Sequence, residues 1–336
     1  MGWWLVNADT LAGSRFVISA LAEATGCLLA LERGSPRHPG ERAWLDAHRP
    51  AYLERLAADP VTATLVKTAY GPRWIADFLT IAPPIEDVVA FHDELARIRA
   101  TPAAAVGADL EVSNNSPLPA LLRHSPDQAA ESPPRPDLPE RMADLLDWIW
   151  TATVLPYWPR RRRMFEADIV ARTERLGKGG WAAALGDMRQ GMRWLGEGRL
   201  QINTYDYPPR EISGSQLLFV PVSRGRGWVA WTPPNRYAIM YPCAGALAEA
   251  GRAPTPEGLG RLLGAARAEV LVLLDTPKST TQLVALTGQA LGSVGRHLKV
   301  LHDAQLVRRR RAGRSVLYYR TAAGDGLVAA QDDALR

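Results

Sequence analysis

The sequence predicts a mainly helical protein with small β elements, an α+β chain. Three observations lead there. Breaker-poor stretches carry apolar residues at helical spacing, alternating apolar and polar runs occur only between about residues 200 and 231, and basic charge collects in one C-terminal segment. A length of 336 residues corresponds to two or three domains. With 47% apolar and 22% charged residues, the composition is that of a folded chain rather than a disordered one.

The helices are taken in chain order. Residues 11–31 read as a first helix through Phe16, Ile18, Leu21, Leu28, Leu29 and Leu31. After the Pro36, Pro39 and Gly40 loop, residues 43–58 form a second, with Trp44, Leu45, Tyr52, Leu53 and Leu56 to one side. A third covers 85–99, opened by Pro83 and Pro84. These elements make a helical part over 1–112. Residues 113–139 contain seven prolines and read as an extended linker. A middle part, 140–250, has helices over 141–155, 163–176 and 181–195. A small antiparallel sheet then follows from 200–205, 217–222 and 228–231. Together with 1–112 it is the expected dimerisation and effector region.

The net charge of +5 conceals its distribution. Residues 261–320 hold eleven Lys and Arg against three Asp and Glu, a net of +8, whereas residues 1–260 net −1. A basic module on a near-neutral body fits a nucleic-acid partner. In this module residues 262–274 read as a helix, and Ser279 or Thr280 caps a second over 281–286 that Gly288 ends. A third covers 292–304, with Val294, Leu298 and Leu301 at i, i+4 and i+7 facing inward. Residues 307–320 form a basic hairpin around Gly313. Helix, helix, turn, helix, basic hairpin is the order of a winged helix-turn-helix domain, over 258–325. Its candidate DNA contacts are Gln289, Ser293, Arg296 and Lys299 on the third helix and its approach, with Arg308, Arg309, Arg310, Arg311 and Arg314 on the wing. His297 reads as a packed structural histidine.

The stretches Thr281–Gly288, Ser293–Leu301 and Ala304–Val307, the wing Arg309–Arg314 and Leu317–Tyr319 resemble the ArsR family of bacterial transcriptional regulators. The resemblance covers about a fifth of the chain. Segments Ser14–Glu23, Asp77–Thr80, Asp93–Leu95 and Glu166–Thr173 are similar to long actinobacterial members with a large N-terminal domain. It implies a homodimer that binds an inverted-repeat operator in double-stranded DNA and represses until an effector binds. Metal sensing is not expected. Ser279 and Thr281 stand where metal-sensing members carry Cys-x-Cys, and hydroxyls do not replace thiolates for soft metals. After Tyr319 there is no histidine for the family's second metal site, only Asp325, Asp332 and Asp333. Gly292 and Gly295 also stand where the family commonly has serine.

Eleven tryptophans is a high count. Trp148, Trp150, Trp158, Trp181, Trp194, Trp228 and Trp231 of the middle part are the candidate lining of a pocket for an apolar or peptide-like effector, against the alternative of core packing. Arg160–Arg163 can meet flanking phosphates or an anionic effector, or form a solvated helix start, where cations oppose the helix dipole.

No nucleophile, phosphate-loop or zinc-protease motif occurs, so no enzyme and no cofactor is expected. Cys27 and Cys243, far apart in sequence, fit a reducing compartment. No apolar run reaches the roughly 18–20 residues of a membrane span, and the first residues lack a signal peptide's cationic start. The expectation is a cytoplasmic, ligand-responsive DNA-binding repressor. The alternatives are an N-terminal region acting only as a dimerisation or protein-interaction scaffold, or an enzyme domain fused to a reader.

Overall fold

The computed structural model describes residues 2–36, 39–71, 74–85, 89–125, 132–185, 188–205, 207–243, 255–275, 277–312 and 315–332. These form an α+β chain that divides into two units. The first comprises Met1–Pro36, Ala43–Tyr157 and Gly179–Pro242, and the second Arg37–Arg42, Trp158–Lys178 and Cys243–Arg336. Among the described residues no helix is long and apolar enough to cross a membrane.

In chain order the elements up to Pro242 begin with β1 (Trp3–Leu5), α1 (Ala8–Ala12), β2 (Arg15–Phe16), α2 (Ala20–Arg33), α3 (Pro39–Ala58) and α4 (Pro60–Ala69). Next come α5 (Phe91–Arg99), α6 (Ala103–Asn114), α7 (Leu138–Ile149) and α8 (Trp158–Leu185). The strands β3 (Arg193–Gly196), β4 (Arg199–Gln201), β5 (Arg210–Glu211), β6 (Gln216–Val222), β7 (Val229–Thr232) and β8 (Arg236–Pro242) close the series.

The expected single helix over 11–31 is broken. Helix α1 stops at Gly13, residues 15–16 pair as β2 alongside Leu218 and Phe219, and α2 restarts from the Ser19 N-cap. Ser19 Oγ accepts the Ala22 N–H (2.9 Å) and donates to Glu94 Oε1 (2.6 Å), while Glu94 Oε2 accepts the Leu21 N–H (3.0 Å). A carboxylate from α5 thus caps the N-terminus of α2, where the helix dipole favours negative charge. Burial nevertheless pushes the Glu94 carboxyl pKa up, against those hydrogen bonds. Helix α2 is buried along most of its length and packs against α5, α7 and β6, the position expected of a helix apolar nearly all round.

The expected small antiparallel sheet is instead two mixed sheets, ordered β3-β4-β1-β5 and β2-β6-β8-β7. Strand β6 pairs parallel with both β2 and β8, and β7 and β8 form the antiparallel pair. The cause is visible along β6. Leu217 and Phe219 enter a core with Trp4, Leu200 and Ile239, whereas Leu218, Val220 and Val222 enter another with Ala22, Trp228 and Met240. Both faces are covered, so the strand is a continuous apolar run, as parallel strands are.

Other boundaries shift. The expected helix over 181–195 ends at Leu185, with β3 starting at Arg193, and α5 begins at Phe91 rather than at residue 85. The 113–139 linker is partly structured. Residues 120–122 form a 3-10 turn, Arg123 bridges Pro134, and Leu118, Leu122 and Leu138 are buried. Helices α4 and α6 had no counterpart in the sequence reading. Helix α8 departs from helical geometry at Gly180, and its residues up to Lys178, expected within the 140–250 part, belong to the second unit.

The second unit continues with α9 (Glu257–Leu263), α10 (Ala265–Leu273), β9 (Lys278–Ser279) and α11 (Thr280–Thr287). It ends with α12 (Leu291–Asp303), β10 (Val307–Ala312), β11 (Ser315–Arg320) and α13 (Ala322–Asp332). The expected helix over 262–274 is two helices meeting at Gly264. Leu259, Ala268 and Val272 form a small core with Leu263, Leu327 and Val328, tying α9, α10 and α13 together.

Candidate nucleic-acid interface

Three helices, α10, α11 and α12, and a three-stranded sheet ordered β10-β11-β9 make up the winged helix-turn-helix arrangement. Its local causes are explicit. Ser279 Oγ accepts the Gln282 N–H (3.2 Å) and Gln282 Oε1 accepts the Ser279 N–H (2.6 Å), a reciprocal capping box that starts α11. Helix α11 stops at Gly288, whose φ of 71° lies in the left-handed region that glycine adopts without a Cβ penalty. The turn this creates leads into α12.

Val294, Leu298 and Leu301 are buried beneath α12, each contributing about 1.5–3 kcal/mol of hydrophobic stabilisation. That fixes the helix's rotation. Gly292, Gly295, Arg296 and Lys299 are consequently exposed, and Gln289 and Ser293 are half-buried. Arg296 Nη2 donates to Ser293 Oγ (3.4 Å). His297 is only half-buried rather than packed in the core. Desolvation lowers its pKa, followed by the nearby Arg267 and Arg296 guanidinium groups.

The wing is a regular antiparallel hairpin in which Arg308, Arg309, Arg310 and Arg311 face Tyr319, Tyr318, Leu317 and Val316. All four arginines are exposed. The base of the hairpin is held to the helices by β9, where Ser279 pairs with Leu317 and Lys278 with Tyr318. The ion pair Arg320 Nε–Asp325 Oδ1 (2.8 Å) fastens β11 to α13. Arg314 lies outside the described residues. The Ser279 and Thr281 hydroxyls lie 3.0 Å apart, both buried. Among the described residues no group of three or more His, Cys, Asp or Glu is placed to hold a metal ion.

The seven tryptophans are spread over several environments. Trp150 stacks on Phe91 (4.6 Å between centroids), Arg55 lies over Trp148 (5.6 Å), and Trp181 stacks on Phe219 (5.6 Å) in a core that Trp194 also borders. Trp228 belongs to the core on the other face of β6. Trp158 packs by Phe165 in the second unit.

Trp231 has different company, which the sequence reading missed. Its ring lies 5.1 Å from Trp74, with the Arg210 guanidinium 4.1 Å over it, and Trp74 meets Tyr207 edge-on at 5.6 Å. Trp74 Nε1 donates to Asp77 Oδ1 (3.0 Å). Asp77 is pushed up to about 6 by burial and then by the charge of Asp109, against the Trp74 hydrogen bond and Arg210. Asp109 accepts the Phe78 N–H (2.9 Å), and burial raises its pKa as well. Aromatic faces beside carboxylates suit a cationic group, a role Arg210 fills over Trp231. The cluster draws on four distant stretches of chain, so no local motif announces it.

No family model, curated protein or solved structure matches the chain.

Proposed function

We propose that this chain is a sequence-specific DNA-binding transcriptional regulator of the ArsR type, acting as a homodimer on an inverted-repeat operator and probing it through α12 and the β10–β11 wing. One observation carries the reading. The cationic, small-residue face of α12 is exposed because its apolar face is buried, and it sits in the same small domain as four exposed wing arginines. A helix with such a face can approach base edges in the major groove, while wing cations meet phosphates. A two-fold dimer would place two such helices about one helical turn apart, which matches a palindromic site.

Repression relieved by a non-metal effector in the first unit is the accompanying part of the reading. The grouping of Trp74, Tyr207 and Trp231 with Asp77 and Asp109 supports it. Tryptophan emission titrated with a metabolite panel tests this part. A flat response to every compound would leave the first unit as a dimerisation scaffold.

Arg296→Ala tests the DNA reading. With an operator selected from randomised duplexes, the variant should lose about 1–3 kcal/mol of discrimination against random sequence, the worth of a bidentate guanine contact. Competition binding measures this. Equal losses on operator and random duplex would make Arg296 a phosphate contact only.

A further inference from the structure

We infer that Arg163, on the Trp158–Lys178 portion of α8 and far outside the winged helix in sequence, is a DNA-phosphate contact at the rim of the α11–α12 turn. The inference rests on the DNA-binding reading above and extends its footprint.

The placement is direct. A methyl group built on Gly288 would lie 3.9 Å from Arg163 Nε and 4.0 Å from Nη2. Gly288 ends α11, two residues before the N-cap of α12. In a helix-turn-helix the N-terminal end of the recognition helix is the part that enters the groove, so the residues just before it stand beside the phosphates of the groove edge. Gly288 has no side chain to reach them, and the guanidinium of Arg163 stands beside it. No side chain caps the first turn of α12, which leaves its N-terminal dipole as a second attraction for a phosphate at the same corner.

The orientation of the helix is fixed on its other side. Met164, Phe165, Asp168 and Arg172 are buried, with Asp168 and Arg172 paired at 2.8 Å. Cys243 Sγ donates to the Met164 carbonyl (3.8 Å), and Trp158 packs on Phe165 (6.2 Å). The four arginines therefore differ in setting. Arg161 is buried, Arg160 half-buried, Arg162 pairs with Glu166 at 3.0 Å, and Arg163 is exposed beside the turn. The first turn of α8 holds no acidic residue. Clustered cations there oppose the helix dipole, a cost that a bound phosphate offsets.

The test uses the full chain and a labelled random-sequence duplex of about three helical turns, with binding measured by anisotropy from about 50 to 200 mM salt. Arg163→Ala should flatten the log–log salt slope by about 0.9 for each bound protomer, and Arg163→Glu should flatten it further. Arg163→Lys should keep the wild-type slope, since the slope counts charge. Arg162→Ala, whose side chain is engaged with Glu166, should also leave it unchanged. Thermal melts of the four variants that match the wild type exclude a folding effect. The inference is overturned if Arg163→Ala keeps the wild-type slope while the double variant Arg309→Ala, Arg311→Ala flattens it, an outcome that leaves the DNA reading standing. It is likewise overturned if Arg162→Ala flattens the slope as much as Arg163→Ala. A wild-type chain that binds no duplex would remove the DNA reading itself, and this inference with it.

Discussion

Gly227→Ala should destabilise the first unit by about 2–5 kcal/mol, the sum of a left-handed-backbone penalty and an overpacking penalty. Gly227 has φ 72°, and a Cβ there would lie 2.1 Å from the Met240 carbonyl oxygen and 2.9 Å from its carbon. Both obstacles are backbone. They are also held in place, because the Trp228 N–H donates to the Met240 oxygen (3.1 Å) and the Met240 N–H to the Trp228 oxygen (2.8 Å). Neither strand can yield without losing the pairing that seats Trp228 in its core. Gly225→Ala is the matched comparison. Its φ is 88°, but the built Cβ meets only the Gly227 nitrogen, at 3.9 Å. That variant should lose about 1–2 kcal/mol, the conformational part alone. Denaturant titration followed by tryptophan emission measures both, because every tryptophan except Trp158 lies in the first unit. Equal losses would mean that the backbone around Met240 gives way.

Asp77→Asn should stabilise the first unit by up to about 3 kcal/mol at neutral pH, and by almost nothing once the pH is below the ordinary carboxylate value of 3.8. The sign follows from the direction of the shift. Asp77 is raised from 3.8 to about 6, so its ionised form is the disfavoured one in the folded chain. The penalty is fully present above that value. It shrinks as pH falls through about 6 and is gone only below 3.8, where the carboxyl is protonated in folded and unfolded chains alike. Burial is the main cause and the Asp109 charge the second, while the Trp74 hydrogen bond and Arg210 work the other way. Asparagine removes the charge and retains an oxygen for the Trp74 N–H. Melting curves of wild type and variant at two pH values, one above 6 and one below 3.8, separate the explanations. A gain of equal size at both would assign the effect to packing rather than to charge.

The parts of the fold that a sequence discloses are those whose causes are local. The C-terminal domain was legible because its signals lie within a few residues of what they control. Ser279 and Gln282 cap α11, Gly288 stops it, and Val294, Leu298 and Leu301 orient α12. Strand β6 was misread in its pairing because alternate side chains enter two different apolar cores, which erases the polar half of the pattern. Gly13 and the Ser19 cap mark the ends of α1 and α2 locally, but the strand between them depends on Phe16 pairing with Phe219, about 200 residues away. The proline-rich stretch conceals buried Leu118, Leu122 and Leu138, since proline content reports the lack of a helix and not the lack of packing. At the candidate interface the exposed cations of α12 follow from helical spacing. The approach of Arg163 to Gly288 has no signature in either segment alone.

The Trp158–Lys178 portion of α8 has a consequence for inheritance. It shares a unit with the winged helix, yet Gly179–Pro242 intervene along the chain. A recombination event with its breakpoint just before Glu257 would carry α9 to α13 into a new protein and leave that helix behind. The transplanted segment would keep the exposed cations of α12 and forfeit the Arg163 corner beside Gly288. Exchange among chains of this build therefore favours moving both pieces together, and α12 and the start of α8 are expected to co-vary across lineages even though about 130 positions separate them.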